Sequence, residues 1–223
     1  MKKTSLKKML IITYALIALI VAAVVSGVAI YYIRSSTDMA YSNYENAMNQ
    51  GYNTEIKSEV QSSIAVIEYY YNRFKAGELT EEQAKTEAKE AVRKMRYRDD
   101  NSGYMWIDAS DYSLVMHPIL PQNEGQNRYT LQDQNGVMII QEIMKTANNG
   151  GGYNQFYFTK ADGVTVALKV AYSQKFEPWG WVVTTGNYVD DMEAEMSEVK
   201  GQIRDNFSSM VMMIAVSYTH LRA

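Results

Sequence analysis

The chain has 223 residues, no cysteine and a formal net charge of −3, which excludes a disulfide framework, a thiolate metal site and a cysteine nucleophile. The charge is uneven: Lys2, Lys3, Lys7 and Lys8 open the chain, Arg34 follows the first apolar run, and all 25 acidic residues lie between Ser35 and Ser209. An acidic exterior excludes nucleic acid as a partner, because phosphate binding needs a basic face.

Residues 1–8 read as a cytoplasmic N-terminus, because lysines ahead of an apolar run are held inside. Met9 to Ile33 is apolar or small throughout, longer than the roughly 20 residues that span a bilayer. A cleavable signal peptide has an apolar core of only ~7–15 residues and a small-residue cleavage site. The sequence shows neither, so residues 9–33 are expected to form a retained transmembrane helix. The rest of the folded chain is then extracytoplasmic, on the outer side of the inner membrane.

From Ser35 to Phe74 there is no proline, and Tyr41, Tyr44, Met48, Tyr52, Ile56, Val60, Ile64, Ile67, Tyr71 and Phe74 recur every three or four residues. That spacing predicts one long helix with a single apolar stripe. Its length is on the order of 60 Å at ~1.5 Å per residue. The distal half is expected to pack on a core, and the membrane-proximal half on a second copy, giving a homodimer. Gly77 ends the helix. Thr80 to Gln83 is a capping-box pattern opening a second helix over residues 81–95, followed by Arg96, Arg98 and a turn cluster at residues 99–103.

Alternation predicts strands at Tyr104–Asp108 and Tyr112–His117, with Tyr104, Trp106 and Asp108 on one face and Met105 and Ile107 on the other. After a loop at residues 118–130, Val137–Ala147 reads as a short helix. Strands at residues 152–159 and 164–172, turned by Asp162-Gly163, precede a fifth strand at residues 181–186. Tyr188–Met210 reads as a final helix with Asp190 and Asp191 in its first turn. The order implies an α+β, PAS-like five-stranded antiparallel sheet with a long N-terminal helix, preceded by one transmembrane helix and with helices on one side of the sheet.

No catalytic constellation frames His117, the one histidine of the folded region, and one imidazole without thiols cannot build a conventional zinc site. The chain therefore reads as a non-enzyme, with no metal and no cofactor. What remains is a donor set: Tyr104, Trp106, His117, Lys169 and Tyr172, aimed into one aromatic-lined cavity, would hold a small carboxylate. Each has a plainer reading. Tyr104 and Trp106 also fit as core aromatics, His117 as a structural histidine, and Lys169 as an edge-strand charge. Lys169 stands out in Val166-Ala167-Leu168-Lys169-Val170-Ala171-Tyr172, where a cation is costly unless paired. Strict alternation puts Lys169 and Tyr172 on opposite faces unless a bulge intervenes.

The runs G-Y-M-W-I-D from Gly103, M-H-P at Met116–Pro118, L-K-V-A-Y at Leu168–Tyr172 and E-P-W-G-W-V-V-T-T-G-N-Y-V-D-D-M from Glu177 resemble the single Cache domain. That family forms extracytoplasmic sensors of bacterial methyl-accepting chemotaxis receptors, and the resemblance covers residues 35–207. It implies a PAS-like sheet, dimerisation through the long helix, and a pocket for small organic acids. Its Y-x-W falls on Tyr104 and Trp106, its H-P on His117, and its K-x-x-Y on Lys169 and Tyr172. Arg96 and Tyr153 are further pocket candidates. Ala171 stands where the family usually has serine. The expected function is a chemotaxis transducer sensing C2–C4 carboxylates and signalling through the C-terminal helix. A histidine kinase or diguanylate cyclase is the alternative output. Residues 210–223 begin a second apolar run and then abandon it, which reads as a truncated membrane segment with a non-native tail.

Overall fold

The computed structural model describes residues 6–160 and 162–220. Lys2 and Lys3, and the last three residues of the expected tail, lie outside the described residues. The elements are α1 (Leu6–Lys75), α2 (Glu81–Lys94), β1 (Trp106–Ala109), β2 (Leu114–Met116), α3 (Ile139–Asn148), β3 (Gly152–Thr159), β4 (Val166–Phe176), β5 (Trp181–Tyr188) and α4 (Val189–His220). The first apolar run and the stalk are thus one continuous helix, since no proline or glycine pair interrupts the register between them. Among the described residues α1 alone is long and apolar enough to cross a membrane, by length and composition.

The chain forms two compact units, Met48–Ala194 and the flanking segments Met1–Ala47 with Glu195–Ala223. In the flanking unit α1 and α4 meet side by side, with the Lys200 ammonium 4.8 Å from the centre of the Tyr41 ring. The central unit holds the sheet, in the order β2-β1-β5-β4-β3 with antiparallel pairs throughout.

Local chemistry sets these elements. Thr80 accepts from the Gln83 N–H at 3.2 Å while the Gln83 side chain accepts from the Thr80 N–H at 2.9 Å, the reciprocal cap that starts α2. Gly103 is required because the Tyr97 ring lies where a Cβ would sit, 2.5 Å away. β4 runs four residues beyond its expected end. Its polar Ser173-Gln174-Lys175 tail hides a strand in which Ser173 is buried and accepts from Thr184 Oγ1 at 3.0 Å.

Because alternate residues of the strands are apolar on both sides, both faces demand cover, and helices pack on both rather than on one. On the first face Ile56, Val60 and Ile67 of α1 and Ala88 and Val92 of α2 meet Met105, Ile107, Met116 and Val183. On the second, Ile139, Ile140, Ile143 and Met144 of α3 meet Tyr104, Trp106, Leu114, Phe156 and Val182. α3 covers only part of that face. The connection from His117 to Met138 crosses the rest, and a cleft opens beneath it.

Candidate functional site

The cleft has a volume of about 800 Å³ and is walled by Tyr104, His117, Arg128, Leu131, Phe158 and Lys160, among others. Its back wall is aromatic and its rim polar.

Lys169 projects from the middle of β4 behind that wall and is fully buried. Its ammonium lies 4.7 Å from the ring centre of Tyr188, 4.9 Å from those of Tyr104 and Trp106, and 5.9 Å from that of Phe158. Among the described residues no carboxylate pairs with it and no group hydrogen-bonds to it. Ring faces attract a cation by roughly 0.5–2 kcal/mol, which offsets only part of the cost of desolvating it. Burial accordingly pushes the amine from its ordinary 10.5 down to about 7, and the Arg98 charge pushes in the same direction.

His117 follows β2 and is buried. Its Nδ1 accepts from the N–H groups of Ile119 at 3.2 Å and Leu120 at 3.1 Å. A nitrogen that accepts two hydrogen bonds carries no proton, so the neutral ring bears its hydrogen on Nε2. Burial, with Arg128 and Lys169 nearby, lowers the imidazole to about 3. The ring stacks on Trp106 at 6.0 Å and tilts against Tyr104 at 5.3 Å. Burial raises the Tyr104 hydroxyl, partly offset by the Tyr188 hydroxyl beside it.

Arg128, unlike Lys169, lines the cleft itself. Its Nε and Nη2 donate to the fully buried carboxylate of Asp108, which also accepts from the Trp106 indole at 3.1 Å. Among the described residues Nη1 has no partner, so Asp108 neutralises the guanidinium and presents its remaining edge. Lys160, on the rim, bridges Asp190 at 2.8 Å and Asp191 at 2.7 Å in the first turn of α4, and its ammonium lies 5.2 Å from the Tyr188 ring. The hydroxyl of Tyr188 donates to the Thr159 carbonyl at 2.8 Å.

The structure therefore brings together Tyr104, Trp106, His117 and Lys169. Tyr172 is placed elsewhere: β4 keeps its register against β5 from Lys169 to Phe176 without a bulge, so Tyr172 points to the α1 face and packs with that core. Tyr153 sits against Tyr172, 44% exposed, and donates to the Asn53 carbonyl of α1. Arg96 is exposed and donates to the carbonyls of Arg93 and Met95 at the end of α2, although its charge contributes to lowering His117. Arg128, Phe158 and Tyr188 are additions to the set. Asp108 carried a signal for the first: a carboxylate on the same strand face as Tyr104 and Trp106 demands a cation.

The arrangement supplies N–H and O–H donors around an uncompensated amine. Among the described residues no cluster of three histidine or carboxylate groups is placed to hold a metal.

Residues 48–202, which contain the sheet, the cleft and the start of α4, match the profile of Single Cache domain 2. The methyl-accepting chemotaxis protein McpP of Pseudomonas putida is 33% identical over 147 residues, covering 66% of this chain and 26% of McpP. The sensor histidine kinase MctS of Rhizobium johnstonii is 28% identical over 173 residues, covering 78% of this chain and 36% of MctS. This chain thus spans between a quarter and two fifths of the length of these relatives. Two solved structures superpose with a TM-score of 0.61. One is a periplasmic sensor domain of a chemotaxis protein, 30% identical, covering 64% of this chain and 98% of the other. The second is a Cache chemosensory domain described for carboxylic acid recognition, 27% identical, covering 65% of this chain and 97% of the other. With a family profile spanning most of its length and two solved Cache-type sensor domains superposing on it, the chain belongs to the single Cache family of sensor domains.

Proposed function

We propose that this domain is the extracytoplasmic ligand-sensing part of a membrane-anchored chemotaxis transducer, and that its cleft binds the carboxylate of a small organic acid. The observation that carries the reading is Lys169, a fully buried amine with no anion beside it among the described residues. A ligand carboxylate drawn in past Tyr104 and Phe158 would supply the missing charge. The His117 Nε2–H, the Tyr104 hydroxyl and the free edge of Arg128 would orient its oxygens, since charge-assisted hydrogen bonds are the strong ones. The aromatic back wall favours a short apolar tail. The carboxylic acid recognition described for a Cache neighbour supports the same class.

The apolar start of α1 serves as the anchor and its membrane-proximal stripe as a homodimer contact. The signal leaves through α4. Ligand can shift the domain between two states only by binding one of them better, and Tyr188 would report the shift, since its ring centre lies 4.7 Å from the Lys169 ammonium and it ends the strand that runs into α4. The kinase relative supports a second reading in which the same sensor controls a histidine kinase.

The test is thermal unfolding of the full chain in detergent micelles against a panel of C2 to C4 carboxylates. Binding to the folded state raises the midpoint with concentration. One or two acids are expected to do so, and Lys169→Met is expected to lose the shift while remaining folded. A panel without any shift, or a shift unchanged in Lys169→Met, defeats the carboxylate reading.

A further inference from the structure

His117 owes its position to two residues that line neither the aromatic cage nor the amine. Arg93, in the last turn of α2, grips Glu124 in a bidentate pair, Nη1 to Oε1 at 2.6 Å and Nη2 to Oε2 at 3.0 Å. The same Oε1 accepts from the His117 N–H at 3.0 Å, and Arg93 Nη1 also reaches the His117 carbonyl at 3.4 Å. Both backbone polar groups of the histidine are therefore held by one ion pair, while its ring is held by the N–H groups of Ile119 and Leu120. Glu90 completes the grip by accepting from Arg93 Nε at 3.1 Å.

Glu124 closes the short 3-10 turn Pro121–Asn123, in the same connection that roofs the cleft. The pair is shielded, with about a fifth of each side chain exposed, so water competes weakly for it and bidentate geometry counts. A surface pair would contribute little. This one fixes a backbone segment whose side chain is a cleft donor, and it ties that segment to a helix on the opposite side of the sheet.

We infer that the Arg93–Glu124 pair is a positioning device for ligand binding: it fixes the His117 ring with its Nε2–H turned to the cleft and makes the roof loop move with the end of α2. The inference rests on the sensing role proposed above for the cleft, but its central claim about the ring can be tested without ligand. Glu124 itself touches no ligand; its effect passes through His117.

The experiment is ¹⁵N spectroscopy of the full chain labelled at histidine, in detergent micelles, with His117→Gln assigning the His117 signals apart from those of His220. The wild type is expected to show a single Nε2–H tautomer. Glu124→Ala and Arg93→Met are expected to show exchange between both tautomers, and a carboxylate that stabilises the wild type should bind them about tenfold more weakly, the size of one lost charge-assisted hydrogen bond. Glu124→Gln keeps an acceptor for the His117 N–H and is expected to retain the single tautomer with most of the affinity. A wild-type ring spectrum in Glu124→Ala overturns the inference. Should that variant fail to fold, Arg93→Met decides it by the same criterion. A wild type that binds no carboxylate refutes the sensing role and leaves the ring spectrum to judge the pair.

Discussion

On the α1 side of the sheet, Met105, Ile107, Met116 and Val183 meet Ile56, Val60 and Ile67, and the buried polar residues beside them, Ser63, Thr185 and Asn187, are uncharged. One residue along the same strands, the other side presents Asp108, His117 and Lys169, all buried. The first face is closed by complementary apolar packing. The second assembles polar groups whose mutual compensation stops at Lys169. A two-residue period thus lets one sheet support itself on one side and hold a costly, uncompensated group on the other. Both faces carry an apolar core, and the function proposed for the domain belongs to the second.

Breaking the compensation on the polar face is expected to have the largest effect. Asp108→Ala leaves the Arg128 guanidinium and the Trp106 indole without their acceptor, at a cost of about 3–5 kcal/mol, read by denaturant unfolding. Next is the dry face, where Ile107→Ala is expected to cost about 2–5 kcal/mol through the cavity it leaves. The carboxylate affinity of the folded protein should not change, and a loss of affinity there would mean the two faces are not separable.

Lys169 sharpens the contrast through pH. Its amine falls from 10.5 to about 7 on folding, so between those values the unfolded state binds more protons and stability rises with pH. It is highest above 10.5, is lost as pH falls toward 7, and changes no further below that from this group. Unfolding followed from pH 7 to 10 should show a positive slope that Lys169→Met lacks. Carboxylate binding, which needs the charged amine, should weaken above pH 7 by up to tenfold per unit. The smallest effect is expected from Lys160→Ala, less than about 1 kcal/mol because its carboxylate partners are half exposed. Hydrogen exchange in the first turn of α4 should nevertheless accelerate.

Much of this was legible in the residues. The capping box, the α1 stripe and the alternation of Tyr104, Trp106 and Asp108 against Met105 and Ile107 are local patterns, and local patterns survive folding. Lys169 was visible as a cation in an apolar strand. Its lack of a partner was not, since that depends on four rings contributed by three other strands and the segment before β1. Tyr172 shows the limit of a motif: alternation alone placed it opposite Lys169, and the unbroken register keeps it there. Arg128 lay in a loop without periodicity, where only the unmatched Asp108 pointed to it. The tail of β4 shows no apolar alternation of its own: Ser173, Gln174 and Lys175 take their register from Thr184, Val183 and Val182 of β5, contacts distant in sequence.

β5 ends at Tyr188 and α4 begins at Val189, with no residue between them. Mechanically this is a joint without play. A loop of even a few residues would absorb a displacement of the strand end in its own dihedral angles. Here a rotation of the Tyr188 backbone becomes the starting orientation of the helix. If the signal leaves through α4 as proposed, no flexible linker stands between a displacement of the strand end at the cleft wall and the first turn of that helix.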